Sequence, residues 1–219
     1  MIIGISGRAG AGKDTVAELF IRKFGFKRVS FADSLKEVCS TSFDIPLETF
    51  HDVKLKDKNF EIPILFTNSA LEKFTKCLQD TGCVFTNDQI NKLETNGLGL
   101  SFVSPRDLLQ RIGTDLVRKH LGDNFWINIF KNKIKNTQGH TIVTDVRFLN
   151  EREAIRDLGG VNFLVIRSSL PPLPADAHES ELLGCSPENI QVTVTNDDTV
   201  AALHRDLESW WGARSRVLR

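Results

Sequence analysis

The residues with the clearest chemical meaning form a glycine-rich run near the N-terminus that ends in a lysine. The run reads Gly7, Arg8, Ala9, Gly10, Ala11, Gly12 and Lys13. When such a run joins a strand to a helix, its backbone N–H groups turn inward around a phosphate, and the helix start adds partial positive charge. Lys13 can then reach the β- and γ-phosphate oxygens. The spacing predicts a polyphosphate site; a glycine-rich turn without a ligand is the alternative.

The residue after the lysine departs from the usual form of this motif. Asp14 stands where a Ser or Thr hydroxyl usually binds Mg²⁺, and Thr15 follows it. Because Mg²⁺ prefers hard oxygen ligands, a carboxylate at this position can bind the ion or the water around it. We hypothesise that Asp14 contributes to a magnesium site and that Thr15 supports a phosphate.

Asp145 and Arg147 follow a short apolar strand predicted over residues 141–144. Open α/β sheets bind ligands at the carboxyl ends of their parallel strands. Asp145 could therefore orient Mg²⁺ through water or hold Arg147 in place. The fork of Arg147 could bind an acceptor phosphate through two hydrogen bonds, although a surface ion pair would also explain this arginine.

A further group of candidates lies on predicted helices. Arg111, Asp115 and Arg118 are spaced i, i+4 and i+7, so an α-helix would place them on one polar face, facing an acceptor phosphate or forming a solvated ion-pair stripe. Trp126 could stack on a nucleotide base. Its helical spacing with Phe130 favours packing in the core instead.

The elements that must position these residues alternate between strand and helix. We predict strands over residues 2–6, 27–31, 141–144, 162–167 and 191–195. We predict helices over residues 13–24, 32–39, 69–80, 105–121, 123–135, 149–158 and 197–211, with Asp33 or Ser34 capping the second and Asp123 capping the fifth. Residues 40–104 interrupt this alternation and are predicted to be a mobile insertion.

Composition limits the classes of protein that fit. The chain has 219 residues, of which 41% are hydrophobic and 26% charged, as expected for one α/β domain. Its formal net charge of zero does not favour extensive binding to nucleic acid. The four cysteines lack the spacing of a zinc site or a disulfide framework. No stretch approaches the ~18 apolar residues that span a membrane, so we expect a cytoplasmic protein without membrane association.

Several segments together resemble the bacteriophage-type deoxynucleoside monophosphate kinases, a branch of the P-loop nucleoside monophosphate kinase fold in which a Lys-Asp pair also occurs. The resemblance covers residues 1–39 and about 105–211, and we recognise no similar segment in residues 40–104. The similar segments beyond the glycine-rich run are residues 31–36, residues 110–115 with Arg118 and Trp126, residues 145–151 and residues 178–181.

The resemblance implies a fold, ligands and additional site residues. The fold would be a three-layer α/β/α P-loop domain over residues 1–219, with a five-stranded parallel sheet, a helical insertion and a lid at about residues 168–185. ATP and Mg²⁺ would bind at the glycine-rich run. Asp33, Lys36 and Glu151 would join Arg111, Arg118, Asp145 and Arg147 on the acceptor side, although a helix cap also explains Asp33. The lid would contribute His178, Glu179 and Glu181. Arg167, at the end of a predicted strand, is a further lid-side candidate for a phosphate contact, with an ordinary surface role as the alternative.

The predicted activity is phosphoryl transfer from ATP to deoxynucleoside monophosphates, with Lys13, Arg118 and Arg147 as catalytic residues. The predicted partners are small nucleotides, together with a second copy of the chain in a homodimer. One alternative is a P-loop kinase for another phosphorylated small molecule, such as phosphomevalonate. Another is an ATP-binding switch without transferase activity. A GTPase is disfavoured because the guanine-reading Asn-Lys-x-Asp sequence is absent from the end of a late strand.

Overall fold

The computed structural model describes residues 1–52, 54–173 and 179–216, with the backbone alone at 179–181. Its strands are β1 (Ile2–Ser6), β2 (Lys27–Val29), β3 (Ile64–Leu65), β4 (Ser101–Phe102), β5 (Thr141–Val143), β6 (Val161–Ile166) and β7 (Val192–Thr195). Its α-helices are α1 (Lys13–Phe24), α2 (Ala32–Phe43), α3 (Leu47–His51), α4 (Asn68–Asp80), α5 (Asn87–Gly97), α6 (Pro105–Gln110), α7 (Lys119–Leu121), α8 (Phe125–Lys135), α9 (Leu149–Asp157), α10 (Glu179–Gly184) and α11 (Val200–Ser215). A π-helical segment, Arg111–Arg118, joins α6 to α7.

The chain divides into two compact units, and the first contains a parallel sheet. This unit comprises Met1–Ser30 and Thr137–Arg219. Its five strands lie in the order β2-β5-β1-β6-β7, and every neighbouring pair is parallel. All five residues of β1 are buried, as expected for the central strand of a sheet that is covered on both faces. The predicted five-stranded parallel α/β sheet is therefore confirmed.

Aromatic side chains fill one face of the first unit. Phe20 of α1 is fully buried and lies 6.0 Å from the ring of Phe163 on β6 and 6.1 Å from that of Trp211 on α11. Both contacts are edge-to-face, an arrangement that aromatic rings favour. This packing fixes α1, and with it the phosphate loop at its N-terminal end, against the sheet.

The second unit, Phe31–Asn136, is mainly helical. Its strands β3 and β4 form a small antiparallel ribbon in which Ile64 lies opposite Phe102. Hydroxyl side chains begin several of its helices: Thr67 caps α4, and Thr86 forms a capping box with Gln89 at the start of α5. The unit has its own apolar core. It begins before the predicted insertion at 40–104 and ends after it, so the insertion is part of a larger compact unit.

The helix predicted over residues 105–121 is interrupted in its middle. Residues 111–118 form i→i+5 hydrogen bonds in place of the i→i+4 bonds of an α-helix, so the prediction of one continuous α-helix is wrong there. The wider turn changes which side chains share a face. The α-helical spacing of Arg111, Asp115 and Arg118 therefore does not establish a common face for them.

Other elements agree with the sequence except at some ends. Helices α1 and α4 begin and end within a residue of their predicted bounds, whereas β2 stops at Val29. Helix α2 has Phe31 at its N-cap position in helical conformation, so neither Asp33 nor Ser34 caps it. Asn124, not Asp123, holds that position in α8. Among the described helices, none combines the length and apolar character that crossing a bilayer requires.

Candidate nucleotide-binding site

The glycine-rich run forms a tight loop between β1 and α1, and its glycines adopt a conformation that other residues avoid. Gly7, Gly10 and Gly12 have φ values of +135°, +79° and +100°. A Cβ atom on Gly7 would also lie 2.4 Å from the carbonyl oxygen of Val165 on β6. Because neither the backbone angle nor the space admits a side chain, Gly7 is required for the loop to approach the sheet this closely.

A side chain from the other end of the chain fastens the loop. Asn196, directly after β7, donates a 2.8 Å hydrogen bond from Nδ2 to the carbonyl oxygen of Ala11. A Cβ atom on Gly12 would lie 2.2 Å from this Nδ2 atom. The glycine at position 12 therefore makes room for the asparagine that holds the loop, a role that the motif alone did not reveal.

Lys13 begins α1 and lies against the loop. Its Nζ donates to the carbonyl oxygens of Gly7 at 2.8 Å and Arg8 at 2.7 Å. The ammonium group is thus held within the loop, at the positive end of the helix dipole, where a phosphate would meet both charges. A polyphosphate fits this site because the loop also buries Arg8 Nε, a donor without a hydrogen-bond partner among the described residues.

A cavity of about 150 Å³ adjoins the loop within the first unit. Gly7, Arg8 and Ala11 line one part of it, and Arg167 and Leu170 line another. Arg167 is exposed, and its Nε donates to Ser169 Oγ at 3.2 Å. The predicted lid residue Arg167 therefore shares a cavity with the phosphate loop.

The two carboxylates predicted to bind magnesium lie in the first unit, and both contact the region of β2. Asp14 accepts a 2.8 Å hydrogen bond from Arg28, and Asp145 accepts one from the hydroxyl of Ser30. The side chain of Asp14 is 80% exposed, so its carboxylate is available to a hydrated cation. Hydrated Mg²⁺ fits this chemistry, because such ions are bound through one or two carboxylates together with phosphate oxygens.

Thr15 is half-buried in the first turn of α1, next to Asp14. No group of three or more His, Cys, Asp or Glu side chains in the described part of the chain could hold a metal ion by itself. A divalent ion at this site would therefore depend on oxygen atoms of a bound nucleotide as well.

Arg147 and Glu151 lie at the start of α9, just beyond β5. Arg147 is exposed, which both predicted roles, a phosphate ligand and a surface ion pair, require. Glu151 is only 3% exposed, and its Oε2 accepts hydrogen bonds from the backbone N–H groups of Arg147 at 2.8 Å and Phe148 at 3.0 Å. Its carboxylate therefore satisfies two backbone donors at the start of α9, and its place on the acceptor side stays a prediction.

The predicted acceptor residues of the second unit occupy different environments. Asp33 and Lys36 lie in the first two turns of α2, where Lys36 Nζ is 3.4 Å from His51 Nδ1. Arg111 donates to the carbonyl oxygen of Ser101 at 2.5 Å, and its guanidinium carbon lies 5.5 Å from the ring centre of Phe102. These contacts hold the Arg111 head group against the β-ribbon.

Trp126 is buried in the core of the second unit. Its exposed fraction is 4%, and its indole N–H donates a 3.1 Å hydrogen bond to the carbonyl oxygen of Gly113 in the π-helical segment. The structure therefore places Trp126 away from solvent, because its ring packs and its polar atom is satisfied internally. Arg118 ends the same segment and is half-buried.

The predicted lid lies partly beyond the described residues. His178 lies outside them, as do the side chains of Glu179 and Glu181, whose backbone begins α10.

Arg152 is a buried arginine that the sequence patterns did not indicate. It is 1% exposed and donates to the carbonyl oxygens of Leu183, Ser186 and Glu188. Burial lowers the pKa of the Arg152 guanidinium. No sequence signal links this arginine to residues more than thirty positions away.

Relatives of known description match most of this chain in sequence. A protein of Acanthamoeba polyphaga mimivirus is 27% identical over 223 residues, covering 95% of each chain. The deoxynucleoside-5'-monophosphate kinase of Escherichia phage T5 is 30% identical over 182 residues, covering 72% of each. The deoxynucleotide monophosphate kinase of Enterobacteria phage T4 is 23% identical over 240 residues, covering 95% of this chain and 97% of its own.

The family model described as deoxynucleotide monophosphate kinase matches residues 64–207. The match includes residues 64–104, where the sequence alone shows no recognisable resemblance, so the family pattern extends into the helical second unit. Together with the glycine-rich loop and the parallel sheet, this match establishes that the chain belongs to the deoxynucleotide monophosphate kinase family.

Proposed function

We propose that this protein transfers the γ-phosphoryl group of ATP to deoxynucleoside monophosphates, forming ADP and a deoxynucleoside diphosphate. The observation that carries the proposal is the loop of positive-φ glycines with Lys13 at the head of α1, in a chain of this family. Phosphoryl transfer requires alignment of donor and acceptor and positive charge around the transferred group, with little covalent chemistry from the protein. The loop and its lysine supply both on the donor side.

The donor nucleotide would bind along the first unit. The loop amides and Lys13 would bind its phosphates, and Lys13 would exchange its carbonyl contacts for phosphate oxygens. The cavity lined by Arg8, Arg167 and Leu170 would accept a further part of the nucleotide. Thr15, in the first turn of α1, would support a phosphate.

Asp14 and Asp145 would hold magnesium, in part through water, and the bound ion would neutralise charge on the phosphates. The two side chains lie at the start of α1 and just beyond β5, the edge of a parallel sheet where ligands bind. This placement supports the proposal that both carboxylates face the same hydrated ion.

The acceptor would be held through its phosphate and its nucleoside. Arg147 and Arg118 would bind the acceptor phosphate and stabilise the charge of the transferred group. Asp33 and Lys36 would contact the sugar or base. Arg111 would support this region from its place on the β-ribbon, since its guanidinium already contacts Ser101 and Phe102.

We further propose that small nucleotides, and neither nucleic acid nor membranes, are the partners of this protein. Zero net charge supports this proposal, because no overall excess of positive charge favours nucleic acid.

We also propose that His178, Glu179 and Glu181 belong to a lid that closes over the nucleotides. The protein would act in the cytoplasm as a homodimer. Gel filtration with light scattering would test the dimer.

The activity is tested by measuring ADP formation from ATP and Mg²⁺ with dAMP, dGMP, dCMP, dTMP and the four ribonucleotides as acceptors. We expect transfer to at least one deoxynucleotide. A Lys13→Met variant, purified in the same way, serves as the control that measures ADP formation by contaminating host kinases. The proposal is refuted if no deoxynucleotide supports ADP formation above that background, whereas transfer only to other phosphorylated metabolites would assign a different acceptor.

A further inference from the structure

The strand β2 contacts both carboxylates of the candidate magnesium site. Arg28 belongs to β2 and Ser30 follows it, two residues along an extended chain, so their side chains leave on the same side of the strand. Arg28 contacts Asp14, and Ser30 contacts Asp145. Parallel pairing of β2 with β5 brings these residues to the strand end that precedes Asp145.

Arg28 connects two different elements with its guanidinium group. Its Nη2 donates to Oδ1 of Asp14 at 2.8 Å, and its Nε donates to Oγ1 of Thr144 at 3.2 Å. Thr144 is only 9% exposed, so the second contact is anchored on a buried side chain directly after β5. The arginine thereby links the start of α1 to the end of β5.

This bridge restricts a carboxylate that would otherwise move freely. The side chain of Asp14 is 80% exposed, and an exposed carboxylate on the first turn of a helix samples several rotamers. With Oδ1 held by Arg28, the conformation of the group is set while its other oxygen stays available for the water shell of a cation. Metal-binding carboxylates are commonly oriented in this way by hydrogen-bond donors that do not touch the metal.

We propose that Arg28 is a positioning residue: bridging Thr144 and Asp14, it orients the Asp14 carboxylate toward the hydrated divalent cation that accompanies ATP. The proposal rests on the proposed function and extends it to a residue outside the nucleotide loop. In this role Arg28 acts on the cation through Asp14 and not through a contact of its own with the nucleotide.

The sign of the effect separates this role from simple electrostatics. A guanidinium group beside a cation site repels the cation, so if charge alone mattered, removing Arg28 would strengthen metal binding. Loss of orientation has the opposite result. Removing an orienting donor of this kind weakens metal binding by about 10–100-fold in known sites.

The test measures how strongly Mg²⁺ improves nucleotide binding, with neither acceptor nor turnover. Calorimetry gives the Kd of the imido analogue of ATP with and without Mg²⁺, and the ratio of the two values is the coupling between metal and nucleotide. We expect Arg28→Gln to reduce that ratio about tenfold. The metal-free Kd should stay unchanged, because in the proposed role Arg28 acts only through Asp14.

Two further variants and a control sharpen the result. Thr144→Val keeps the charge of Arg28 but removes its anchor, and should also lower the ratio. Arg28→Lys keeps a charge without the fork and should restore little of the coupling. Arg22→Gln removes an exposed arginine that pairs with Glu18 on the same helix at 2.6 Å, and should leave the ratio as in the unaltered protein.

An unchanged or larger ratio in Arg28→Gln overturns the proposal, and so does a protein in which Mg²⁺ fails to improve nucleotide binding at all. The proposal is also overturned if Arg28→Gln changes the Kd by the same factor with and without Mg²⁺, because the substitution would then affect nucleotide binding itself and not its coupling to the metal. Failure of the proposed function is distinguishable: it appears as missing phosphoryl transfer in the unaltered protein, whatever the coupling ratio.

Discussion

Replacing Arg152 by methionine removes a buried charge that holds the segment from Leu183 to Glu188 in the first unit through hydrogen bonds. The guanidinium donates to three backbone carbonyl oxygens, those of Leu183 at 2.8 Å, Ser186 at 2.7 Å and Glu188 at 2.8 Å. These carbonyls lie at the end of α10 and in the turn after it. Methionine fills a similar volume but donates no hydrogen bond.

The magnitude follows from what remains after the change. Each carbonyl left without this donor costs about 1–3 kcal/mol when water cannot replace it, and relief of the buried charge offsets part of the total. We expect a net loss of about 3–5 kcal/mol in the free energy of unfolding. For a chain of this size, that loss corresponds to a fall in Tm of about 6–20 °C.

The assay is chemical and thermal denaturation followed by circular dichroism, with Arg156→Met as the matched control. Arg156 lies one turn further along the same helix and reaches Asn189 at 2.9 Å, but it is exposed. The control should lose less than about 1 kcal/mol. If Arg152→Met were as stable as this control, the three hydrogen bonds would contribute nothing that water cannot replace, and the anchoring role would be refuted.

The remaining predictions concern the nucleotide site and its edge. Lys13→Met should slow phosphoryl transfer roughly 10²–10³-fold, a loss of about 3–4 kcal/mol of transition-state stabilisation, with little change in Tm. Steady-state kinetics measure the transfer rate, and an unchanged rate would remove Lys13 from the mechanism. Arg147→Lys should lower kcat/KM for the acceptor about tenfold or more, because one charged hydrogen bond is lost; a silent variant would indicate a surface ion pair. The hydroxyl and backbone N–H of Ser168 lower the pKa of Asp197. The ionised Asp197 carboxylate therefore stabilises the fold above the ordinary carboxyl pKa, and this stabilisation is lost as pH falls through the lowered pKa of the folded protein. The Tm difference between the unaltered protein and Asp197→Asn should shrink on acidification. A Tm difference that does not change with pH would contradict this.

Local signals explain why much of the donor side was predictable. The apolar residues of β1, the glycines after it and Lys13 lie next to one another in the chain, so their pattern specifies strand, loop and helix together. The same holds for the alternation of β5, α9 and β6, where Gly159 ends the helix.

The helical second unit was harder to predict because its signals are weak or misleading. Helix α5 was missed although Thr86 and Gln89 form a capping box, since few apolar residues mark its buried face. The π-helical segment was missed because Leu108, Ile112 and Leu116 satisfy α-helical spacing equally well.

Contacts between distant parts of the chain account for what the sequence did not show at the site. Asn196 holds the phosphate loop from 185 positions away, and Arg28 reaches Thr144 across 116 positions. Neither residue type is unusual where it stands. The burial of Glu151 and its hydrogen bond from the Arg147 backbone N–H likewise have no signal in the sequence.

The order of the parallel strands has a consequence for synthesis on the ribosome. Strand β1, which leads into the phosphate loop, pairs with β5 and β6, so Ile3 finds its partners at Ile142 and Val161. Pairing across so many intervening residues is slow and cannot begin before both partners exist. Strand β1 must therefore stay unpaired and apolar until β5 and β6 have left the exit tunnel, and over that interval its exposed apolar residues favour aggregation.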